Sequence, residues 1–480
     1  MVKNSAIPNL PLGRGTLLSL LMLLFATVLS GCAGGYRVNI QQDVQPLAAD
    51  REIPEQDLLN VAIEVFDPGR LPEDPKKRAG LSQEIRQAEA LFYPVQLKNT
   101  LQRSGFWGSI WVVPKAAIQN RWDDEKKQVE AIHTSFGTPA SSSSAQGAIV
   151  APSENSGEVA DLMVAGRIEY SDGETLSLRI KAVDASNRVW LDKIYTEKSL
   201  PTEREEAELG QKDAFQDLFN AISNDLITHR QALTSKDIQI IQKIAEMRFA
   251  RSIARNPFER YLSADPENNT LQLRGLPAKD DPMLKRIQAI RARDAMLMDL
   301  LSSHYDLYYT EIFTPYKEWR KNRAEELAVM HDLEKQAFRR QLLGFAAIAG
   351  AIALGAVGGE DAVRVLDPVR DIMVMGGAYA IYSGHQKREE AKLNREVIEE
   401  LGESFASDAH PLVVEVKGET IKLTGSAAQQ YSQWKTLLKR IYREETGGPI
   451  DTLPVIIGIE DQQMAESDGV AGEDRGQNRP

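Results

Sequence analysis

The sequence holds one thiol, Cys32, and six imidazoles, His133, His229, His304, His331, His385 and His410, as its candidates for nucleophilic, metal or proton-transfer chemistry. A lone cysteine cannot belong to an intrachain disulfide framework, which needs an even set. No histidine has a second histidine three or four residues on, the spacing that turns two rings to one metal on a helix face, so all six are read as surface or capped residues. The G-x-x-x-x-G-K-S/T phosphate loop, the H-E-x-x-H zinc helix and the G-x-S-x-G nucleophile elbow are missing. These patterns lead us to expect no catalytic residue, no metal site and no cofactor. Arg248, Arg251 and Arg255 fall at i, i+3 and i+7, with Lys243 about a turn earlier. Such a row can hold a lipid phosphate or an acidic glycan; the alternative is a solvated face paired with Glu246 or Glu259. Tyr305, Tyr308, Tyr309, Phe313, Tyr316 and Trp319 recur at helical spacing, as packing residues or as a platform for stacking carbohydrate.

The surroundings of Cys32 decide what its sulfur is for. Lys3 and Arg14 precede an uncharged apolar stretch, Thr16–Leu29, long enough for the core of an export signal and short for a membrane span. Leu29, Ser30, Gly31 and Cys32 follow. This order resembles the lipobox of bacterial lipoproteins. The resemblance implies cleavage before Cys32, a diacylglyceryl group on the thiol and an N-terminus held by several acyl chains. Each buried CH2 contributes about 0.8 kcal/mol, so several chains hold where one is marginal. An acylated sulfur is no longer a nucleophile. Ala33 rather than aspartate after the cysteine implies, by the sorting of such lipoproteins, the outer membrane, with the body facing the periplasm.

The net charge of -12 argues against nucleic acid as a partner, and loss of residues 1–31, with two cations and no acid, makes the chain more acidic still. Apolar content of 42% is that of a globular chain with room for two or three domains. Residues 32–56 are polar and irregular and read as a tether. In 57–232 we expect a strand at Leu59–Phe66, a helix at Ser82–Gln102 that Pro94 kinks or splits, and a short strand at Ile110–Val113. A mobile Ser-rich loop at 137–157 follows, then a three-stranded meander over Asp161–Tyr170, Thr175–Val183 and Arg188–Thr196, and a helix at Ala214–Leu226. The alternation of Leu176, Leu178, Ile180 and Ala182 with polar residues gives the meander one buried face.

This order, carried by Phe66-Asp67, Leu97–Leu101, Ser104–Pro114, Ala160–Tyr170 and Ala182–Tyr195, resembles a periplasmic α/β domain. That domain is shared by the curli-secretion lipoprotein, the lipoprotein activators of penicillin-binding proteins and the N-terminal domain of the Tol-system translocation protein. The family implies assembly and scaffolding at the cell envelope rather than one reaction.

The second half, 233–408, reads as mainly helical: Asp237–Leu262, Pro282–Leu301, Tyr305–Lys321 and Ala324–Leu343, as antiparallel helices or a stalk, with a polar connection at Asp265–Asp281. A module at 409–461 holds a hairpin, Leu412–Val416 with Thr420–Leu423, and a helix near Ala427–Arg443; 462–480 is a disordered tail. The fold class expected is α+β: a sandwich-like α/β domain with a β-meander, a helical domain with an apolar hairpin at 342–384, and a small hairpin-plus-helix module. In that apolar hairpin Ala347, Ala351, Gly355 and Gly359 recur every four residues, and Gly376, Ala380 and Gly384 repeat the device. Small side chains in a row let two backbones approach closely. Either the hairpin is buried in the domain core, or it inserts in a bilayer or associates with copies of itself. The whole reads as a membrane-anchored, non-enzymatic envelope scaffold that binds envelope proteins and self-associates. The alternatives are a secretion component whose hairpins or strands cross the outer membrane, and an enzyme acting on envelope polymers.

Overall fold

The computed structural model describes residues 36–40, 43–74, 78, 81–115, 160–199, 215–265, 268–353, 385–407, 411–416 and 419–447. The chain is mixed α and β, built on a six-stranded mixed sheet of order β1-β6-β5-β4-β2-β3. β2 (Leu59–Glu64) and β3 (Trp107–Val113) are parallel neighbours joined through helix α1 (Gln83–Ser104), and β2 is also parallel to β4 (Leu162–Ser171). β4, β5 (Thr175–Asp184) and β6 (Val189–Lys198) form the antiparallel meander. Its turns follow from local chemistry: Gly173 takes φ +92° after Asp172, whose carboxylate accepts the Glu174 and Thr175 amides. Asn187 takes the left-handed conformation after Asp184, which accepts the Ser186 and Arg188 amides.

Helix α1 begins where the Ser82 hydroxyl accepts the Ile85 amide and ends on Gly105 at φ +71°. Pro94 neither splits nor ends it. Helix α2 (Gln216–Gln231) lays Leu218, Phe219, Ile222 and Leu226 into the core.

The segment expected as a tether is a correction. Tyr36–Asn39 is strand β1, parallel to β6 at the sheet edge. Beyond it the chain is strapped to α2: the Asp43 amide donates to Asp217, Leu47 to Asn224, and the side-chain amides of Asn220 and Asn224 donate to the Val44 and Gln45 carbonyls. Four residues are too few for an alternation signal, and the pairing partner lies far along the sequence. Of the expected tether, 32–35 lies outside the described residues, as does the loop 137–157.

The helical half also differs. Helix α3 (Ser235–Ile253) stops at Ala254 and a single turn, α4 (Arg255–Phe258), follows. Pro257 has no N–H to donate to the Ile253 carbonyl four residues back, so the longer helix cannot continue. The connection after it contains a short hairpin, β7 (Leu262–Ala264) with β8 (Leu271–Leu273). The three helices expected between 282 and 343 are one, α5 (Pro282–Ala353), whose 72 residues correspond to about 108 Å. No glycine interrupts 282–343, and Pro315 is held among buried Ile312, Tyr316 and Trp319. Helix α6 (His385–Ser407) returns along it. Phe405 lies beside Tyr305 and Tyr308, and Arg395 lies beside Glu84 of α1, so the two helices run antiparallel. The C-terminal module matches expectation: β9 (Leu412–Val416) with β10 (Glu419–Leu423), then α7 (Ala427–Thr446), opened by a capping box of Ser426 and Gln429.

Sheet, long helix and C-terminal module share one contiguous apolar core. At Gly166 on β4 that core leaves no room for a side chain: a Cβ would stand 2.5 Å from the Phe66 ring. Gly166→Ala is expected to lower stability in urea unfolding by about 1–3 kcal/mol. Gly275→Ala, with nothing within 4 Å, leaves the midpoint within about 0.5 kcal/mol.

Candidate functional site

The polar groups that the fold does bring together lie in the seam between α5 and the sheet unit. On α1, Arg86, Glu89, Tyr93 and Gln96 form a stripe opposite the apolar positions, and all four are buried. Glu89 Oε1 accepts from Ser171 Oγ at 2.7 Å, from Tyr316 OH of α5 at 2.7 Å and from Tyr93 OH at 3.2 Å. The two phenolic oxygens are 2.6 Å apart. Glu89 Oε2 has no hydrogen-bond partner among the described residues. Burial raises the Glu89 carboxyl above its ordinary range against the pull of these donors and of Arg86, and burial likewise pushes both phenols up. Arg86 reaches only carbonyls, those of Arg70 and Glu169 at 3.3 and 3.4 Å. Nearby, Arg320 of α5 donates to the carbonyls of Gly173 and Ser199 at 2.8 and 3.0 Å and lies 4.2 Å over the Phe215 ring.

Further along the seam Ser302 of α5 accepts from Lys98 Nζ at 2.9 Å and from the Val112 amide of β3 at 3.1 Å. Lys98 also pairs with Asp306 at 2.6 Å, and the Trp111 indole donates to Asp299 at 2.6 Å. Near the start of α5, Asp161 is 2% exposed; its Oδ2 accepts the Asn60 amide at 2.9 Å, and Arg291 stands 3.9 Å from Oδ1. Burial raises its pKa to about 6, against the opposing pull of that amide and of Arg291. Glu246 of α3 accepts from Gln288 of α5 at 2.7 Å and from Lys243 at 2.8 Å. Burial pushes that carboxyl up, but the two donors outweigh it and its pKa is lowered. Asp294 of α5, fully buried, accepts the Trp434 indole of α7 at 3.0 Å. Chemically, Glu89, Asp161, Asp294 and the two phenols are held away from solvent, whereas Asp299 and Asp306 lie toward the rim of the seam; the row is suited to fixing one helix. Glu89 and its three partners are all buried; Glu89 itself is 1% exposed.

The residues singled out in the sequence are not assembled here. Leu29, Ser30, Gly31 and Cys32 lie outside the described residues, as do Gly355, Gly359, Gly376, Ala380 and Gly384. Ala347 and Ala351 lie on the α5 backbone, their side chains outside the described set. The arginine row is a correction: α3 ends before Arg255, so the three no longer share a helix. Arg248 donates to the Ala185 carbonyl and to Asn187, and Arg255 pairs with Glu259. The tyrosines of α5 are packing residues: Tyr305, Tyr308 and Tyr316 are at most 2% exposed, and Tyr309 stacks on Phe92 at 4.6 Å. His229 stacks on Trp190 at 4.7 Å, and burial lowers its pKa. Among the described residues no cluster of histidine, cysteine and carboxylate groups could hold a metal ion, and no helix is long and apolar enough to cross a membrane. No family model, curated protein or solved structure matches the chain.

Sequence reading missed Glu89, Asp161, Ser302 and Asp294 because their partners lie a hundred residues or more away along the chain. For Glu89 a signal was present in α1 itself, apolar enough at Ala88, Leu91, Phe92 and Val95 to need cover on more than one side. Two outcomes follow from the geometry. Ser302→Ala leaves the buried Val112 amide without its acceptor and is expected to cost about 1–3 kcal/mol, with faster hydrogen exchange at Val112. Asp161 binds its proton more tightly folded than unfolded, so its contribution is complete below pH 3.8 and is lost as pH rises through about 6. Asp161→Asn removes that loss, which is on the order of 3 kcal/mol. The difference in urea midpoint between variant and parent is therefore expected to grow in the variant's favour between pH 4 and 7; a flat difference would show an unperturbed carboxyl.

Proposed function

We propose that the chain is a membrane-anchored bacterial lipoprotein that works by contact, as an assembly or scaffold factor of the cell envelope rather than as an enzyme. The lipobox-like Leu29-Ser30-Gly31-Cys32 supplies the anchor, and the outer membrane, with the body facing the periplasm, is its expected place. The observation that supports a scaffold is helix α5. Its first forty residues are fastened to the sheet by the buried seam, while its backbone continues as helix to Ala353. Exposure rises from Glu325 onward, with Val329 53% exposed, so the helix becomes an arm. We read the sheet with its meander as the periplasmic α/β domain resembled in sequence; of the apolar segment 342–384, residues 354–384 lie outside the described residues. Envelope proteins and further copies of the chain are the partners we assign to these surfaces.

A second reading, a secretion component, draws on one observation: α5 runs unbroken into the apolar stretch that begins at Leu342. An arm of that kind can present an apolar end to a bilayer.

Mass spectrometry of the mature chain is expected to show loss of residues 1–31 and acyl chains on Cys32. Crosslinking in whole cells, followed by capture, is expected to yield adducts with envelope proteins. A leader retained, or a free thiol at position 32, would sink the proposal. Protease-accessible sites on α5 outside intact cells would instead select the secretion reading.

A further inference from the structure

Strand β1 fixes how far the body can stand from an anchor at Cys32. Pairing with β6 begins at Tyr36, opposite Lys193. The four Cα–Cα steps from Cys32 to Tyr36, across Ala33, Gly34 and Gly35, reach about 14 Å when fully extended. A free tether over 32–56 would instead let the body wander by about 25 Å, but 36–40 and 43–49 are bound to β6, α2 and α1. Because β1 is parallel to β6, its N-terminal end points toward the start of β6 and the β5–β6 turn. Val189 stands there, four residues before Lys193, and is 54% exposed.

Three acids near this edge are paired with cations, although the chain carries -12. Asp184 is paired with Arg188 at 3.1 Å, Asp192 with Arg179 at 2.9 Å and Asp225 with Lys193 at 2.9 Å. Asp237 is held in the capping box of α3 by Thr234, within the field of Arg188 and Lys236. Arg37 and Lys236 are exposed. An edge of this composition can lie within a Debye length, about 8–10 Å, of anionic headgroups without the repulsion expected of the chain as a whole.

We infer that this edge, from Arg37 of β1 across Arg188 and Val189 to Lys236, rests on the surface of the bilayer that holds the anchor. The inference rests on the lipoprotein reading and adds an orientation to it: β1 and the start of β6 lie down, and the β4–β5 turn lies away.

The test uses the full acylated chain. With Cys32 modified there is no other thiol, so Val189→Cys gives a unique labelling position at an exposed site. Glu169→Cys, exposed near the far end of β4, gives the reference. Each is labelled with a fluorophore and reconstituted in phosphatidylethanolamine vesicles that contain about one quarter phosphatidylglycerol and a headgroup-borne quencher. Quenching at position 189 is expected to exceed that at 169 several-fold. Equal quenching at the two positions in a chain that mass spectrometry shows to be acylated overturns the orientation alone. An unacylated chain fails the lipoprotein reading first.

Discussion

The arrangement depends on covering one edge strand. β3 ends the sheet, yet Ile110, Trp111, Val112 and Val113 are all buried. An uncovered edge of this kind exposes unpaired backbone groups and large apolar side chains together, a template for unwanted pairing. Helix α5 lies across it, accepting the Val112 amide at Ser302 and the Trp111 indole at Asp299. Once α5 is placed there, Tyr316 falls against Glu89, Arg320 against the Gly173 carbonyl, and Arg291 beside Asp161.

Buried acids and ion pairs are weak sources of net stability, because desolvation offsets most of the attraction. Their value in this seam is positional. From Arg291 to Arg320 the polar contacts of α5 extend over some eight helical turns, about 43 Å. A slip of one turn, about 5.4 Å, would strand these groups without their partners as well as break the aromatic contacts, so the polar row adds a second constraint on register. The apolar core supplies adhesion, and Glu89, Lys98, Asp161 and Asp294 add to the address.

What the sequence made legible follows the range of each interaction. The meander was readable because Leu176 to Ala182 alternate and the turns carry Asp172-Gly173 and Asp184–Asn187, all local signals. The C-terminal hairpin and α7 were readable for the same reason. β1 was not, since Tyr36–Asn39 becomes a strand only by pairing with residues more than 150 positions away. The unity of α5 was hidden because the serines at 302 and 303 look like punctuation, whereas tertiary burial of Leu301, Ser302 and Tyr305 carries the helix through them. The stripe of α1 was hidden in the opposite sense: Arg86 and Glu89 have the polarity of a wet face and are dry because chain distant in sequence, Glu169 of β4 and Tyr316 of α5, lies against them. At Arg255 the misleading element was periodicity itself, which continues in the sequence past the point where Pro257 stops the helix.

These constraints link the two ends of the reading. Cys32 is tied within a few residues to β1, β1 is paired to β6, and the same sheet carries β3 at its other edge. The seam holds α5 to β3 and α1 in a single register, so the direction in which the helix leaves the body is fixed by the sheet. With the chain acylated at Cys32, the height and heading of the α5 backbone at Ala353 would be set by the anchor through a chain of backbone pairing and buried polar contacts, with no free joint among the described residues. A scaffold that must meet a partner at a defined distance from a membrane needs such a linkage, and a loosely tethered body does not provide it. The charged seam, costly as it is to bury, is what keeps α5 from sliding along the sheet.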